Sequence, residues 1–180
     1  KAINKNIFFA AYNKEMLDQL NAIGIAHNYR FPIHLKIDTG LSRLGIKIED
    51  ALSIIEWIQT CAGIELNGIY SHFAESSNSD NSYTTQQINS FIDLLHTLGK
   101  KNIKIPYRHI ANTAGALKFD IPSCNMVRIG AGIYGLWPSQ STQHVAQERF
   151  PDLNIVPIIA WKTTIIHTQQ FPADQHIGYD

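Results

Sequence analysis

The chain has 180 residues, of which 44% are hydrophobic and 17% charged, and 15 basic residues balance 15 acidic ones. This composition excludes a disordered chain, a collagen-like fibre and a coiled coil, which require low hydrophobicity, a glycine period or charge-rich heptads. A formal net charge of zero gives no electrostatic signature for nucleic acid or an anionic membrane. No apolar stretch approaches the ~20 residues that span a bilayer. We therefore expect a soluble, cytoplasmic protein whose partner is a small molecule, with no nucleic acid and no membrane involved.

Short β-rich runs alternate with helical stretches from the start of the chain. The pattern predicts a strand at 7–11, followed by Asn13 as helix N-cap and a helix with apolar positions 16, 17, 20 and 23. A second strand at 33–37 leads into a helix from about residue 49. The repetition indicates successive βα units.

The same rhythm continues in the middle of the chain. A third strand is predicted at 64–71, and it precedes a polar loop at 72–83 of the kind that carries function or is mobile. Thr84 and Gln87 have the spacing of a capping box for the next helix. A strand at 106–111, a helix at 112–118, a strand at 125–129 and a glycine-rich turn at 130–132 follow.

The pattern changes after residue 138. The polar, proline-interrupted stretch 138–157 is typical of a linker or of an excursion between domains, and 158–170 is predicted as a strand with no helix after it. We place a domain boundary near residue 155. Residues 1–154 would form the C-terminal portion of a barrel, and residues 155–180 would begin a C-terminal β domain.

Strands separated by helices imply parallel pairing, in either a closed (β/α)8 barrel or an open doubly wound sheet. The positions of reactive side chains favour the barrel, because a barrel brings the carboxyl ends of all its strands to one mouth. Such side chains lie near or just beyond the carboxyl ends of the predicted strands: Arg43, His72, His109, Asn112 and Arg128. Since a barrel takes roughly 250 residues, we expect further strands before Lys1. The predicted fold class is α/β, a partial (β/α)8 barrel followed by the start of a β domain.

Two clusters have plausible chemistry of their own. Asn112-Thr113 at a helix start and Gly130-Ala131 after a strand could bind a phosphate, or they could be a helix cap and a tight turn only. Arg128 lies at the end of an apolar run. We expect it either to face an anion or a hydrogen-bond acceptor in the barrel mouth or to pair with a structural carboxylate.

Cys61 and Cys124 lack the spacing of a metal site or a disulfide framework, and no metal site is predicted.

Several motifs occur together in the order and spacing of bacterial alanine racemases. They are Lys36-Ile37-Asp38-Thr39-Gly40-Leu41-Ser42-Arg43-Leu44-Gly45, Ser71-His72-Phe73-Ala74, His109-Ile110-Ala111-Asn112-Thr113-Ala114, and Val127-Arg128-Ile129-Gly130 with Ile133-Tyr134-Gly135-Leu136. The chain thus resembles this family from Phe9 to Tyr179. The resemblance implies an N-terminal (β/α)8 barrel, a C-terminal β domain and pyridoxal 5'-phosphate (PLP) in the barrel mouth of a head-to-tail homodimer with shared active sites.

The resemblance also implies roles for the cationic residues. Arg128 matches the family arginine that hydrogen-bonds the pyridine nitrogen of PLP. Arg43 matches the residue that contacts the cofactor's phenolic oxygen and the substrate carboxylate. Lys36 matches a lysine often found carbamylated, which would orient Arg43, although Asp38 could instead simply neutralise Lys36.

Further roles follow from the same resemblance. Phosphate-binding positions are matched by Asn112, Thr113, Gly130 and Ala131. The histidines that flank Arg128 are matched by His72 and His109. Tyr179 matches the catalytic tyrosine that one subunit donates to its neighbour, with a pKa lowered by His72 and Arg128, although the family usually has glycine where Asp180 stands.

The implied activity is interconversion of L- and D-alanine by two-base proton transfer at Cα, which supplies D-alanine for peptidoglycan. The family's cofactor-binding lysine motif does not occur in this sequence, so it should lie upstream of Lys1, and the chain alone is expected to be inactive. One alternative is a racemase with broader serine and alanine specificity. A related decarboxylase would have an acidic residue in place of Arg128, and a non-catalytic PLP-binding barrel would lack the C-terminal β domain.

Overall fold

The structure is a computed structural model that describes residue 5 and residues 7–179. Its strands are β1 (Phe9–Ala11), β2 (Phe31–Asp38), β3 (Ile46–Lys47), β4 (Ile64–Tyr70) and β5 (Tyr107–His109). Its helices are α1 (Lys14–Ala26), α2 (Ile48–Thr60), α3 (Ser82–Lys100), α4 (Thr113–Lys118) and α5 (Gln140–Arg149), with a short 3-10 helix at Ala131–Tyr134. The predicted α/β class is confirmed. None of these helices is both long and apolar enough to cross a lipid bilayer.

The strands form one sheet in the order β1-β2-β4-β5, and the short β3 pairs with the end of β2. All pairs in this sheet are parallel: Ile33 lies opposite Phe9 on one side and Leu66 on the other, and Tyr70 lies opposite His109. Parallel neighbours require a crossover, which the helices between the strands provide. The carboxyl ends of β2, β4 and β5 therefore lie along the same edge.

Side chains alternate between the two faces of β2. Phe31, Ile33, Leu35 and Ile37 are buried in the main hydrophobic core with the inward residues of the helices. These inward residues include Leu17 and Leu20 of α1, Ala51, Ile55 and Ile58 of α2, and Phe91, Leu94 and Leu98 of α3. The opposite face of β2 carries His34 and Lys36, so this face presents polar groups.

The capping box predicted at Thr84 and Gln87 is wrong. Helix α3 begins at Ser82 after Asn81, whose side chain makes no capping bond. Thr84 and Gln87 lie inside the helix and are buried on its inner face. The spacing of a capping box therefore coincided with two positions of the buried stripe.

The linker predicted at 138–157 contains a helix. The hydroxyl of Ser139 accepts a hydrogen bond from the amide of Thr142, which caps α5. Only Thr142 and Ala146 are buried on α5, which packs against α4. Because these two inward residues are small or polar, the hydrophobic period that normally reveals a helix is almost absent.

Two predicted strands are not formed. Residues 125–129 run beside β5 with backbone hydrogen bonds from Asn125 to Arg108 and from Arg128 to Ala111, both 3.0 Å, but they form no strand ladder. Residues 158–170 are exposed and form no regular secondary structure. Among the described residues, this segment makes one backbone hydrogen bond to another segment, from the amide of Ile158 to the carbonyl of Tyr134 at 3.4 Å. It therefore lacks the paired neighbour that a strand requires. The domain boundary near residue 155 remains a prediction.

Candidate active site

Arg128 is the centre of a hydrogen-bonded cluster at the carboxyl ends of β4 and β5. Its Nη2 donates to the carbonyl of Ser71 at 2.7 Å and to Nδ1 of His72 at 3.0 Å. Its Nη1 donates to Nδ1 of His109 at 2.6 Å. Arg128 forms no ion pair with a carboxylate among the described residues. The structure therefore brings together the three predicted residues His72, His109 and Arg128, and it does not support the alternative of a structural salt bridge.

The donor chemistry of Arg128 fixes the tautomers of its neighbours. An arginine guanidinium only donates, so Nδ1 of His72 and Nδ1 of His109 both accept. In the neutral imidazole, the proton then resides on Nε2. Nε2 of His109 donates to Nδ1 of His34 at 2.9 Å. His34 therefore ends a relay that runs Arg128, His109, His34.

The histidines next to Arg128 are uncharged near neutral pH. Burial is the main cause that lowers the pKa of His109 to about 3, and the charge of Arg128 and the proximity of His34 add to it. Burial also lowers the pKa of His72, with further contributions from Arg128, Arg43 and Lys36. A neutral imidazole can accept from the guanidinium, whereas a protonated one cannot.

Tyr70 supports the same cluster from one side. Its ring stacks on the ring of His109, with centroids 5.0 Å apart and an interplanar angle of 7°. The guanidinium carbon of Arg128 lies 5.2 Å from the centroid of the Tyr70 ring, a cation–π distance. Burial raises the pKa of the Tyr70 hydroxyl, against the opposing effect of Arg128.

Sequence reasoning did not identify His34 or Tyr70 as site residues. His34 shares the polar face of β2 with Lys36, and Tyr70 directly precedes the Ser71-His72 motif. The alternation of β2 was a usable signal for His34, because residues at positions i and i+2 of a strand share a face. For Tyr70, the only signal in the sequence was its position beside the Ser71-His72 motif.

Lys36 and Arg43 lie on β2 and on the loop that follows it. Lys36 is 6% exposed, and burial lowers the pKa of its amine, helped by the charges of Arg43 and Arg128 and opposed by Asp38. Arg43 is exposed and lines a cavity together with Asp38. One oxygen of Asp38 accepts from the amides of Gly40 at 2.9 Å and Ser42 at 3.1 Å. Lys36 takes part in no ion pair of the described chain, which disfavours the reading that Asp38 pairs with it.

The predicted phosphate-binding residues also converge. The hydroxyl oxygen of Thr113 accepts from the amide of Gly130 at 3.0 Å and from that of Gly132 at 3.4 Å. Ala131 begins the 3-10 helix directly after Gly130. The turn at 130–132 is therefore held against the first residue of α4.

Asn112 acts as the N-cap of α4, the alternative that the sequence left open. Its Oδ1 accepts from the amide of Gly115 and from the hydroxyl of Ser76, both at 2.9 Å. Because Oδ1 is occupied twice, Nδ2 is the part of this amide that remains for a ligand among the described residues. Capping and ligand binding are thus compatible.

Tyr179 is not brought to this cluster within one chain. It is fully exposed near the end of the described residues and packs against no other side chain of them. Asp180, where the sequence departs from the family pattern, lies outside the described residues. Within residues 5 and 7–179, no group of three or more His, Cys, Asp or Glu side chains is arranged to hold a metal ion.

Comparison with known proteins identifies the family. The family model described as the alanine racemase N-terminal domain matches residues 1–138. The chain belongs to this family. It is 35% identical to the alanine racemase of Methanococcus maripaludis in an alignment of 180 positions that covers 99% of this chain and 47% of that protein. It is 33% identical to alanine racemase 2 of Caldanaerobacter subterraneus subsp. tengcongensis over 99% of this chain and 45% of that protein.

Solved structures show the same fold. The alanine racemase of Clostridium difficile 630 superposes with a TM-score of 0.76 at 29% identity, over 87% of this chain and 42% of that one. Its complex with cycloserine gives a TM-score of 0.71 at 30% identity, over 78% of this chain and 39% of that one. The chain spans about half the length of the curated relatives that it matches. The predicted partial barrel is confirmed by this similarity and by the parallel sheet.

Proposed function

We propose that the full-length protein is a PLP-dependent alanine racemase. The proposal rests on the surroundings of Arg128: its guanidinium is held by the imidazoles of His72 and His109 and by the carbonyl of Ser71. Membership of the alanine racemase N-terminal domain family supports the same conclusion. The proposed substrate is alanine in either configuration.

The donors present fit the chemistry of PLP. Arg128 offers a permanent cation to the pyridine nitrogen, which is a hydrogen-bond acceptor. The hydroxyl oxygen of Thr113 accepts from two amides, so its proton remains for a phosphate oxygen, and Nδ2 of Asn112 offers a second donor. The amide of Ala131 would complete the proposed phosphate site, and the amide of Gly130 would join it by exchanging its bond to Thr113 for one to the phosphate. A phosphate group accepts hydrogen bonds and is repelled by carboxylates, so a cluster of hydrogen-bond donors that no carboxylate faces suits a phosphorylated ligand.

When bound, PLP supplies an electron-withdrawing ring that stabilises negative charge developing at Cα of the substrate. Arg128 cannot release its proton in the physiological range, so it would keep the pyridine nitrogen unprotonated and would moderate this withdrawal. A decarboxylase of the related type would be expected to have an acidic residue at this position. Arg128 therefore favours racemisation over decarboxylation.

Tyr179 is the proposed acid and base on one face of Cα. Its full exposure is compatible with a role in the site of a second copy, as in a head-to-tail homodimer with shared active sites. The lysine that would act on the other face belongs to a motif that does not occur in this sequence. In such a dimer, the incoming tyrosine would lie beside His72 and Arg128.

Arg43 is the proposed contact for the substrate carboxylate and the cofactor's phenolic oxygen. A carbamylated Lys36 would orient it, since carbamylation converts a cation into an anion. Burial lowers the pKa of Lys36 from its ordinary value, which supports this proposal because only the neutral amine adds carbon dioxide. The product, D-alanine, would serve peptidoglycan synthesis in the cytoplasm.

Racemisation of L-alanine and of D-alanine by the full-length protein tests the proposal, with Tyr179→Phe as the informative variant. We expect Tyr179→Phe to lower kcat in both directions by roughly 10²–10⁴-fold, the usual effect of losing a general acid–base group. Tyr29→Phe is the matched control, because Tyr29 packs on Phe31 near the amino end of β2, away from the site. Unchanged rates in Tyr179→Phe would remove this tyrosine from the mechanism.

A wild-type protein that binds PLP but racemises neither enantiomer would instead favour the non-catalytic alternative. Comparable kcat/KM values for serine and alanine would favour the broader specificity.

A further inference from the structure

Gln87 is a buried amide within an otherwise mostly apolar face of α3. The buried positions of this helix are Thr84, Gln87, Phe91, Leu94 and Leu98, and Gln87 is 1% exposed. A buried amide destabilises the fold unless its donors and acceptor are satisfied. The contacts of Gln87 therefore indicate what it does.

All the polar atoms of this side chain are used. Its Oε1 accepts from the amide of Ala74 at 2.9 Å, and its Nε2 donates to the carbonyl of His72 at 3.2 Å and to Oγ1 of Thr39 at 3.3 Å. The orientation of the amide is unambiguous, because the Ala74 amide can only donate and the His72 carbonyl can only accept. Gln87 thus binds the backbone on both sides of Phe73.

These contacts join the ends of two strands. Thr39 follows β2, and its hydroxyl lies 2.8 Å from the hydroxyl of Ser71, the first residue after β4. In the next residue, His72, the carbonyl accepts a hydrogen bond from Gln87 and the ring nitrogen Nδ1 accepts one from Arg128. The side chain of Gln87 and the guanidinium of Arg128 therefore hold the same residue from opposite parts of the fold.

The polar loop after β4 has other anchors, but they hold more distant residues. Ser76 contacts Asn112, Lys118 contacts the carbonyl of Asn78, and Ser139 contacts the carbonyl of Ser77. None of these bonds fixes the backbone at His72. Arg128 binds the carbonyl of Ser71 on the amino side of His72, and the amide of Ser71 donates to the carbonyl of His109 at 3.1 Å. On the carboxyl side, Gln87 is the side chain that binds the carbonyl of His72 and the amide of Ala74.

We propose that Gln87 is a positioning residue that fixes the backbone of His72 so that the imidazole stays in hydrogen-bond contact with Arg128. Its consequence for racemisation rests on the proposed function, whereas the positioning itself can be measured without activity. Displacement of a site group by about 1 Å can cost on the order of 100-fold in rate. We therefore expect a loss in kcat that exceeds the change in KM.

The test uses the full-length protein with Gln87→Leu, and with Gln86→Leu as the matched control. Gln86 is the exposed neighbour on the same helix, so the control repeats the chemical change where the side chain does not contact residues 72–74. The nitrogen-15 shifts of the His72 ring report whether Nδ1 still accepts from Arg128. The rate of hydrogen exchange at the Ala74 amide reports whether its bond to Gln87 is intact. The exchange rates of the β4 amides report separately whether the fold is intact.

In Gln87→Leu we expect shifted His72 ring signals, fast exchange at Ala74, protected amides in β4 and a kcat lower by about 10- to 100-fold. Gln86→Leu should match the wild type. Unshifted His72 signals, or a kcat equal to that of Gln86→Leu, would overturn the inference.

If the β4 amides of Gln87→Leu exchange fast, the variant has lost its fold, and Gln87→Glu then tests the inference. Glutamate retains an acceptor for Ala74 but turns a carboxyl oxygen toward the carbonyl of His72. The inference then requires shifted His72 signals with β4 intact, and unshifted signals would overturn it. A wild-type protein that fails to racemise alanine would contradict the proposed function alone, since the His72 signals would still test the positioning.

Discussion

Arg128 is oriented by acceptors that come from separate segments of the chain. His72 and Ser71 follow β4, and His109 ends β5. A forked guanidinium can satisfy these acceptors at once, whereas a lysine ammonium on a flexible stem does not offer the same fixed geometry. The residue is therefore a rigid donor whose direction is set before any ligand binds.

The buried His109 predicts a specific dependence of stability on pH. Its pKa is about 3 in the folded protein and near 6.5 in an unfolded chain. Between these values the unfolded state binds a proton that the folded state does not bind. The free energy of unfolding should therefore fall as the pH decreases from about 6.5 toward 3, by up to about 1.4 kcal/mol per pH unit for this one group.

Urea denaturation at pH 6.5, 5.5 and 4.5 measures this slope in the wild type, in His109→Gln and in His96→Gln. His96 is an exposed residue of α3 and serves as the matched control. We expect His109→Gln to flatten the slope and His96→Gln to leave it as in the wild type. Equal slopes in all three proteins would show that His109 takes up its proton in the folded state.

Among the elements, the contact between α1 and the turn before β4 depends on glycine. A Cβ at Gly63 would overlap the carbonyl oxygen of Asn21, which belongs to the backbone of α1. The amide of Gly63 also donates to the side chain of Asn21 at 2.8 Å, and its carbonyl accepts from Phe31 at 2.9 Å. Helix, turn and strand are thus packed backbone to backbone.

We predict that Gly63→Ala lowers the free energy of unfolding by roughly 1–3 kcal/mol, because the overlap involves backbone that cannot move aside cheaply. Gly99→Ala is the control, since a Cβ at Gly99 meets nothing within 4 Å near the end of α3. There we expect a gain of about 0.5–1 kcal/mol from helix propensity. Urea titrations of both variants measure the difference, and similar stabilities would contradict this packing.

How well the sequence predicted each element depended on how it is buried. Strand β2 and helix α2 were predicted because their apolar residues follow the strand and helix periods. Helix α5 was missed because Thr142 and Ala146, its buried residues, carry no such signal. The segment 158–170 has the composition of a strand, but a strand also requires a neighbour.

The site residues divide in the same way. His72, His109 and Arg128 could be predicted because each lies in or just after the carboxyl-terminal part of a predicted strand. The role of Gln87 could not, because its partners Thr39, His72 and Ala74 come from two other segments. Sequence spacing along one helix contains no information about such cross-segment contacts.

For the whole molecule, the region after residue 155 has unusual exposure. Trp161 is 94% exposed and Ile166 is 96% exposed, and Tyr179 is fully exposed. Large apolar side chains that are exposed together in one segment indicate that further protein structure covers them. This agrees with our proposal that the segment begins a β domain and carries Tyr179 to a second copy.

The central claim is that the Arg128 cluster belongs to a centre that removes and returns the Cα proton of alanine. Incubation of the full-length protein with PLP and L-alanine in deuterated water tests it most directly, and the 180-residue chain alone, which lacks the family's lysine motif, should leave alanine unchanged. The account predicts D-alanine with deuterium at Cα, accumulating until the enantiomers are equal. L-alanine that keeps its Cα proton, with no D-alanine formed, would contradict it.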